Sequence, residues 1–454
     1  MPQLNTVITP YRQIEAYQYE YTNKNEAIEK IQLLDHDKNN NIDTYEIINL
    51  LDNLTKEIKI HESQLCDLIT MEIGKTINDS KIEIQRAETT IKAIRDARCS
   101  MSGDLLESKN YLQGDERMGL VKHAPLGIVL AITPFNFPVN LALHKIIPAL
   151  AMGNRVLFKP HPQCFRSSEL LTNLFYKAGF RKSDIQMICP TNDDMAEVIP
   201  HKDIACVSFT GGIHGAKIVS SLAVLKKQLF ELGGNDALVV YPGSDYSKAA
   251  ESVISQRFGC AGQRCTASKR VFVHEECYEV FKEILVEKTK LLVVGDPENT
   301  STFVGPVVSK QSAINIENKI QGAVDQGATI ALGGNRENAI IYPTILENVT
   351  SEMEIIKEET FGPVVPLFKF NSTDKLIEQI NNSSFGLQCG VFTNDISLCK
   401  KLYKSLEVGS LIINEGPGYR ADHFPFGGTK SSGIGREGGM YALLEFSQTK
   451  TLII

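Results

Sequence analysis

From residue 126 onward, short apolar runs alternate with stretches of helical periodicity. The runs are GIVLAIT (127–133), RVLFK (155–159), DIQMIC (184–189) and IACVSFT (204–210), and helices are expected near 138–152, 167–178, 193–199 and from about 213. Apolar strands separated by helices are typical of βαβ units, in which helices cover both faces of a parallel sheet. The pattern therefore predicts an α/β fold with right-handed crossovers.

A second series of the same kind follows residue 231. DALVVYP and KRVFVHE predict strands, helices are expected near 246–259 and 275–291, and the alternation continues to about 420. Residues 24–110 have helical periodicity, and the final TKTLII predicts an exposed edge strand that would take a partner. The length of 454 residues predicts two or three domains.

The composition argues against several kinds of partner. The chain is 43% hydrophobic and 22% charged with a net charge of −7, so we expect no binding surface for nucleic acid or an anionic membrane. Prolines, asparagines, a histidine and a lysine interrupt the longest apolar stretch (126–152), which argues against a membrane span. The N-terminus lacks the charged and apolar regions of a signal peptide.

Ten scattered cysteines without a C-x-x-C pair indicate reduced thiols in a cytoplasmic protein and no metal site. One stretch, DHDKNNNIDTYE (35–46), has the ligand spacing of a calcium loop. In the alternative interpretation it is a polar turn, in which Asp43 caps the next helix and Glu46 completes a capping box. Because no second such loop exists and these loops usually occur in pairs, we interpret it as a turn.

Two residues could perform covalent chemistry on a carbonyl group. Cys265 lies in GCAGQRCTASKR (259–270), where small neighbours favour the close approach of a ligand. Cysteine reacts as the thiolate, so it would need help from a helix start, from backbone amides or from Arg264. Glu231 ends an apolar run and could activate water. Taken singly, the thiol also fits an inert buried side chain and the carboxylate also fits the surface.

Seven motifs occur in order: TPFNFP (133–138), FKP (158–160), FTGG (209–212), FELGGN (230–235), GQRC (262–265), EETFGPV (358–364) and PFGGTKSSGIGREG (425–438). With them the chain resembles the NAD(P)-dependent aldehyde dehydrogenase superfamily over nearly its whole length. The closest motifs are those of the branch with non-phosphorylating glyceraldehyde-3-phosphate, lactaldehyde and phosphonoacetaldehyde dehydrogenases.

The resemblance implies a Rossmann-type parallel-sheet domain for the dinucleotide (1–105 and 126–231) and an α/β catalytic domain (232–430). A small β oligomerisation element (106–125 and 431–454) would build a homodimer or homotetramer. The chain starts late relative to many members of the family, so we expect their leading strands to be missing.

The resemblance also implies roles for three residues. Cys265 would be the nucleophile and would form a thiohemiacetal with the aldehyde. Asn136 and the Cys265 backbone N–H would stabilise the oxyanion. Glu231 would activate the water that hydrolyses the thioester, so the product would be a free acid. Two alternatives remain, namely a coenzyme A-acylating dehydrogenase and a non-catalytic scaffold of the same fold.

The same resemblance implies a site for NAD or NADP. Its residues would be Ile132, Thr133, Pro134, Phe135, Lys159, Gly211, Gly212, Glu359 and Phe361. Pro162 stands where NAD-preferring relatives often have Glu, so NADP is permitted and His161 could assist its binding. FTGG has Gly212 where the usual phosphate turn has Ser.

Three arginines are candidates for binding the substrate. Arg264 precedes the nucleophile, Arg420 lies in GYRADHFPF, and Arg117 lies in GDERMG. Guanidinium groups bind phosphate, sulfonate and carboxylate in a bidentate manner. We therefore expect a small anionic or hydroxylated aldehyde, the alternative being that these arginines serve loop packing or subunit contacts.

Overall fold

The structure is a computed structural model that describes residues 3–36 and 43–454. Its strands are β1 (Leu4–Ile8), β2 (Glu15–Glu20), β3 (Asp104–Glu107), β4 (Met118–Pro125), β5 (Ile128–Ile132), β6 (Arg155–Lys159), β7 (Ile185–Met187), β8 (Ile204–Thr210), β9 (Lys227–Glu231), β10 (Ala237–Val240), β11 (Arg270–His274), β12 (Thr329–Leu332), β13 (Arg336–Glu337), β14 (Ile340–Ile341), β15 (Thr344–Glu347), β16 (Val364–Phe370), β17 (Phe385–Gly386), β18 (Gln388–Phe392), β19 (Ser410–Ile413), β20 (Thr429–Lys430), β21 (Gly433–Ile434) and β22 (Ser447–Ile453).

The helices are α1 (Lys24–His36), α2 (Thr44–Ile60), α3 (Glu62–Ile73), α4 (Ile77–Ser100), α5 (Asn140–Ala151), α6 (Phe165–Ala178), α7 (Asn192–Val198), α8 (Ile213–Leu222), α9 (Tyr246–Arg257), α10 (Tyr278–Lys290), α11 (Lys310–Asp325), α12 (Glu354–Lys357), α13 (Thr373–Asn381), α14 (Ile396–Ser405) and α15 (Gly439–Glu445). Short 3-10 turns lie at Ser108–Asn110, Pro162–Cys164 and Gly259–Gly262.

A six-stranded sheet has the order β7-β6-β5-β8-β9-β21, in which the first five strands are parallel and β21 is antiparallel. Helices α1, α7 and α8 contribute to the apolar cluster on one face, and α2 to α6 contribute to the cluster on the other. Ile132 pairs with Lys159, and Thr210 pairs with Glu231, so the carboxyl ends of four strands meet at one edge. Chain order reverses direction at β5, which is the strand order of dinucleotide-binding sheets.

The second sheet has seven strands in the order β12-β15-β16-β11-β10-β18-β19. Six of them are parallel, and β12 is an antiparallel edge strand. Helices α9, α10, α11, α13 and α14 contribute to its apolar core. The loop between α9 and β11 contains the predicted nucleophile, so this sheet fixes the position of the thiol.

A third sheet has the order β22-β4-β3 and is antiparallel. Strand β22 pairs along its whole length with β4, from Ser447 opposite Pro125 to Ile453 opposite Gly119. In the described part of the chain the other edge of β22 has no strand beside it, and Leu452 and Ile453 are 59% and 65% exposed. The predicted C-terminal edge strand is therefore present.

The α/β fold and the order of its strands and helices agree with the sequence-based expectation except in two places. The predicted helical stretch of residues 24–110 ends at Ser100 and is followed by β3, and the N-terminus also differs. The expectation that leading strands are missing was wrong, because β1 and β2 form an antiparallel hairpin. Val7, Tyr17 and Tyr19 are buried and pack with Cys189. Polar residues between these apolar positions hid the strands from a search for apolar runs.

The calcium-like stretch (35–46) lies largely outside the described residues. Its described end supports the turn interpretation, since Asp43 caps α2 and its Oδ1 accepts the Glu46 N–H at 2.8 Å. Across residues 3–36 and 43–454, no group of three or more histidine, cysteine or acidic side chains is arranged to hold a metal ion. In the same ranges no helix is long and apolar enough to cross a bilayer.

Candidate active site

The loop that leads to Cys265 has an unusual backbone. Cys260 and Ala261 have φ values of 52° and 51°, in the left-handed region that costs a non-glycine residue about 1–3 kcal/mol. The Cys260 N–H donates to Asp79 Oδ2 at 2.8 Å, which ties this turn to α4. Gly262 has φ +71°, and a Cβ there would lie 2.3 Å from the Gly362 carbonyl oxygen. The surrounding structure thus imposes one conformation on the loop.

Cys265 keeps part of its surface open to solvent, while the protein packs densely around its thiol. Burial is the main cause that raises the pKa of this thiol to about 12, and the carboxylates of Asp236, Glu359 and Glu231 raise it further. Lys269 acts in the opposite direction. Its Nζ donates to the Cys265 carbonyl oxygen at 2.5 Å.

Asn136 lies in the loop between β5 and α5 and is buried. Its Nδ2 donates to the carbonyl oxygen of Gln263 at 2.9 Å, two residues before the nucleophile. An amide nitrogen has two hydrogens, so one remains for an oxyanion. Glu83 accepts the amides of Val139 and Asn140 at 2.9 and 3.0 Å, which fixes the start of α5 and with it the Asn136 loop.

Glu231 ends β9 and is 7% exposed. Its Oε2 is buried and has no hydrogen-bond partner among the described residues. Burial raises the pKa of this carboxyl well above its ordinary value, and repulsion from Glu437 adds to the effect, against Lys145, Arg420 and Arg436. A carboxylate with a raised pKa is a stronger base, as proton abstraction from water requires.

Glu437 is equally buried but has two cations beside it. Lys145 Nζ lies 3.4 Å from its Oε1, and Arg420 donates to its Oε2 at 2.9 Å. Burial alone would raise the pKa of Glu437, but Lys145, Arg420 and His144 outweigh burial and hold it well below its usual range. Sequence reasoning missed Glu437 although it lies in the quoted PFGGTKSSGIGREG motif.

Two of the three predicted substrate arginines lie close to the nucleophile loop. The Arg264 guanidinium contacts Cys260 Sγ at 3.3 Å and Asp79 at 3.8 Å. Arg420 contacts His144 Nδ1 at 3.2 Å, in addition to Glu437. In the described part of the structure, the buried Nε atoms of Arg264 and Arg420 have no hydrogen-bond partner. Arg420 Nε lies 3.7 Å from Asp422 Oδ1, which is an ion-pair distance but too long for a hydrogen bond, so each Nε–H is still available to an anion.

A third arginine, Arg86 of α4, lies near these two. No sequence motif predicted Arg86. It lies 3.3 Å from Asp422, and the same carboxylate is 3.7 Å from Arg420. Burial lowers the pKa of Arg86, and the nearby Arg420 and Arg264 lower it further, against Asp422. Three guanidinium groups therefore interact with one another, and one of them, Arg264, also interacts with the Cys265 thiol.

Arg117 lies elsewhere. Its side chain is 69% exposed before β4, and its Nε donates to Asp115 at 2.6 Å. Within this chain the structure does not bring Arg117 together with Cys265. The sequence signal for Arg117 was only its position before a predicted strand, which does not determine the direction in which the hairpin points.

The predicted cofactor residues gather at the carboxyl ends of the first sheet. Ile132 ends β5, and the Thr133 N–H donates to the Lys159 carbonyl oxygen at 3.1 Å before Pro134 turns the chain. Lys159 is buried, and burial lowers the pKa of its ammonium.

Three aromatic rings line the neighbouring surface. Phe135 meets His161 edge to face at 5.4 Å between centroids and meets Phe361 in the same way at 6.0 Å. Burial and Lys159 lower the pKa of His161 to about 3, so its ring is neutral at neutral pH. These rings offer apolar surface to a ligand.

The start of α8 is open. Gly212 caps the helix, and a Cβ on Gly212 would meet nothing within 4 Å among the described residues. The preceding Gly211 donates its N–H to the Glu231 carbonyl oxygen at 3.2 Å. Thr210 Oγ1 is buried and lacks a hydrogen-bond partner in residues 3–36 and 43–454. An open helix start beside an unpartnered hydroxyl fits the phosphates of a dinucleotide.

Glu359, a predicted cofactor residue, is linked to the nucleophile loop through Lys269. Its Oε1 accepts from Lys269 Nζ at 2.7 Å and from the Gly234 N–H at 3.3 Å. Lys269 also donates to the Cys265 carbonyl oxygen, so one ammonium joins the predicted nucleophile to a carboxylate predicted to bind the cofactor. Sequence reasoning missed Lys269, although its place four residues after Cys265 was visible.

A Rossmann-type sheet beside a second α/β domain that presents a thiol defines a dinucleotide-dependent oxidoreductase. Comparison with known proteins narrows that class. Residues 3–452 match the pattern described as the aldehyde dehydrogenase family, and the chain belongs to this family. It is an aldehyde dehydrogenase, which oxidises an aldehyde to a carboxylic acid with NAD or NADP.

Three relatives illustrate the branch. The chain is 48% identical to the sulfoacetaldehyde dehydrogenase of Neptuniibacter caesariensis over 405 residues, 89% of each chain. It is 37% identical to the lactaldehyde dehydrogenase of Methanococcus maripaludis over 454 residues, 96% of each chain. The structure of glyceraldehyde-3-phosphate dehydrogenase from Methanocaldococcus jannaschii complexed with NADP has a TM-score of 0.94 and 33% identity, covering 100% of this chain and 99% of that chain. The predicted family, fold class and cofactor class are confirmed, and nothing favours the acylating or non-catalytic alternatives.

Proposed function

We propose that Cys265 is the nucleophile of this aldehyde dehydrogenase. Its thiolate adds to the aldehyde carbon, and the Asn136 amide and the Cys265 N–H donate to the developing oxyanion. One such donor is worth about 3 kcal/mol in other enzymes. The hydrogen bond from Asn136 to the loop of Gln263 supports this role, because it places the amide beside the chain that leads to the thiol.

The bound dinucleotide supplies the acceptor for the hydride that leaves the thiohemiacetal. Glu231 then takes a proton from water, which attacks the thioester and releases the free acid and the thiol. The unpartnered Oε2 and the raised pKa of Glu231 support this role. The dinucleotide would be held by the nine residues named above. Seven of them lie in a cofactor domain of residues 1–105 and 126–231, and Glu359 and Phe361 lie in the catalytic domain (232–430).

We propose further that the substrate is a small aldehyde with an anionic group, and that sulfoacetaldehyde represents its class. One observation carries this proposal: among the described residues the buried Nε atoms of Arg264 and Arg420 have no hydrogen-bond partner, although Arg420 Nε lies 3.7 Å from Asp422, which Arg86 also contacts. A sulfonate has three oxygen acceptors and would satisfy these donors. A neutral aldehyde would leave buried donors without partners, at a cost of about 1–3 kcal/mol each.

Initial rates test the proposal. The rates are measured with sulfoacetaldehyde, lactaldehyde and propanal as substrates, each with NAD and with NADP as cofactor. Propanal is a neutral aldehyde of similar length. The acid product is quantified. We expect kcat/KM to be at least about 30-fold higher for sulfoacetaldehyde than for propanal, because two unsatisfied buried donors cost about 2–6 kcal/mol together. Arg264→Met should reduce this preference at least about fivefold, because it removes one of the two donors. Arg117→Met, at an exposed position, should leave the preference unchanged. Equal rates with both aldehydes would refute an anionic substrate.

We also propose a cytoplasmic homodimer or homotetramer. Ten cysteines without a disulfide support a reducing compartment. The exposed apolar edge of β22 supports strand pairing with a second copy. Light scattering after size exclusion tests the assembly: Leu452→Asp should yield monomers, and a wild-type monomer at micromolar concentration would refute it.

A further inference from the structure

Lys269 is a buried ammonium that the proposed chemistry does not yet use. Its side chain is 1% exposed. It has two polar partners, the Cys265 carbonyl oxygen at 2.5 Å and Glu359 Oε1 at 2.7 Å. Burying a lysine is costly unless the charge is paired. A position four residues after the nucleophile, and bonded to the nucleophile's own backbone, indicates a role in the reaction.

The charges that face the thiol come from four segments of the chain. Carboxylates approach from the end of β9 with Glu231, from the following loop with Asp236, and from the loop after α12 with Glu359. Two cations oppose them, Lys269 and Arg264. Arg264 is held by Asp79 and contacts the neighbouring Cys260 thiol instead. Lys269 is therefore the main positive charge available to a Cys265 thiolate.

We propose that Lys269 is a positioning residue for the nucleophile: it fixes the Cys265 backbone through its carbonyl and supplies the charge that favours the thiolate. The inference rests on the proposed role of Cys265. Glu359 competes for the same ammonium, since it shares Lys269 with the Cys265 loop. The two side chains should therefore have opposite effects on thiol ionisation, whereas a merely structural ion pair would make both substitutions act in the same direction.

Alkylation by iodoacetamide measures thiolate formation without any turnover. The rate is followed against pH for the peptide that contains Cys265, identified by mass spectrometry, because the exposed Cys99 also reacts. We expect Lys269→Met to lower the rate at pH 8 about tenfold or more, which corresponds to the loss of an opposite charge nearby. Lys269→Arg should restore part of the rate, and Glu359→Gln should raise it. Lys290→Met, on the exposed side of α10, is the matched control.

Removal of one partner of a buried pair can prevent folding. The double variant Lys269→Met/Glu359→Gln removes both charges and leaves neither side chain as an unpaired charge. It therefore tests the proposal even if Lys269→Met alone does not fold. It should react more slowly than Glu359→Gln alone. Three results would each overturn the proposal. The profiles of wild type and Lys269→Met could superimpose, or both single variants could shift in the same direction. The third is an equal rate for the double variant and Glu359→Gln.

A separate variant distinguishes this inference from the proposed function. Cys265→Ser should lose turnover. Retained turnover in Cys265→Ser would refute the role of Cys265 as nucleophile, while the alkylation profiles would still report whether Lys269 controls the thiol. If Cys265→Ser is inactive but Lys269→Met leaves the profile unchanged, only the inference about Lys269 fails.

Discussion

The proposed active site has two ends that are built on different principles: a cofactor end at the strand ends of the first sheet, and a substrate end around Arg86, Arg264 and Arg420. At the cofactor end, strand ends and the open start of α8 present backbone groups, and Phe135 and Phe361 add apolar surface. At the substrate end, charged side chains from distant segments pair with one another, such as Arg86 with Asp422. The first end depends on main-chain geometry, and the second depends on side-chain charge.

This difference has consequences for stability and for specificity. Backbone groups at a helix start can bind a phosphate without placing a charged side chain in the protein interior. Buried guanidinium groups and carboxylates need each other, because a lone buried charge costs several kcal/mol. Substitutions at the substrate end should therefore change both folding and substrate choice, whereas substitutions at the cofactor end should leave folding nearly unchanged.

The largest effect is expected at Glu231, where the two ends meet. Glu231→Gln removes the proposed base, so steady-state kcat should fall about 10²–10⁴-fold. The first turnover should still release one equivalent of NADH or NADPH, because the thioester would form but not hydrolyse. Rapid mixing followed by fluorescence measures this burst. Loss of the burst would contradict a role confined to hydrolysis, and Glu407→Gln, at an exposed position, serves as the control.

The same variant should be more stable than wild type. Burial raises the pKa of Glu231, so its ionisation at neutral pH opposes folding. A raised folded-state pKa means that stability is greatest below the pKa of the unfolded chain and is lost as pH rises. The gain in unfolding free energy of Glu231→Gln should therefore be present at pH 8 and shrink toward pH 4. Urea unfolding at both pH values measures it.

The next largest effect is expected at Glu437, the other buried glutamate. Glu437→Gln leaves Lys145 and Arg420 without their carboxylate, so the unfolding free energy should fall by about 3–5 kcal/mol. Because the folded-state pKa of Glu437 is low, the difference from wild type should be full at neutral pH and vanish in acid. Glu445→Gln is the control, since Glu445 pairs with Lys227 at a partly exposed site.

A smaller effect is expected at Arg86. Arg86→Met should raise KM for an anionic aldehyde about tenfold, the loss of one hydrogen bond to a charged group, and leave KM for propanal unchanged. Lys81→Met, on the exposed side of the same helix, should change neither constant. An equal change with both aldehydes would mean that Arg86 supports the loop of Asp422 and does not attract the anion.

The contrast between the two ends also explains what sequence reasoning could and could not find. Motifs marked Cys265, Glu231 and Asn136 as candidates, because each lies in a short local pattern. The residues of the proposed cofactor end came from the same motifs, through the family resemblance. Arg86 could not be predicted, since helical periodicity places it on α4 but does not reveal that the loop of Asp422 folds against that helix.

Sequence reasoning missed Lys269 and Glu437 for a different reason. Both lie within quoted motifs, yet their roles depend on partners distant in sequence: Lys269 bonds Glu359, and Glu437 bonds Lys145. Periodicity and spacing describe neighbours along the chain, and electrostatic roles depend on neighbours in space. Predictions of charge-dependent roles therefore need the fold first.

The smallest effect is expected at the cofactor end, at Gly212. Its φ is −77°, and a Cβ would enter open space, so Gly212→Ser should fold normally and gain a few tenths of a kcal/mol as a better helix cap. The added hydroxyl can donate to a phosphate at this helix start, so the cofactor Kd should be equal or about threefold tighter, the effect of one modest hydrogen bond. Calorimetric titration with NAD and NADP measures it. Gly262→Ser, which would meet the Gly362 carbonyl, should fail to fold. A tenfold loss of affinity in Gly212→Ser would mean that the phosphates do not lie at α8, and that the cofactor end depends on side chains as strongly as the substrate end.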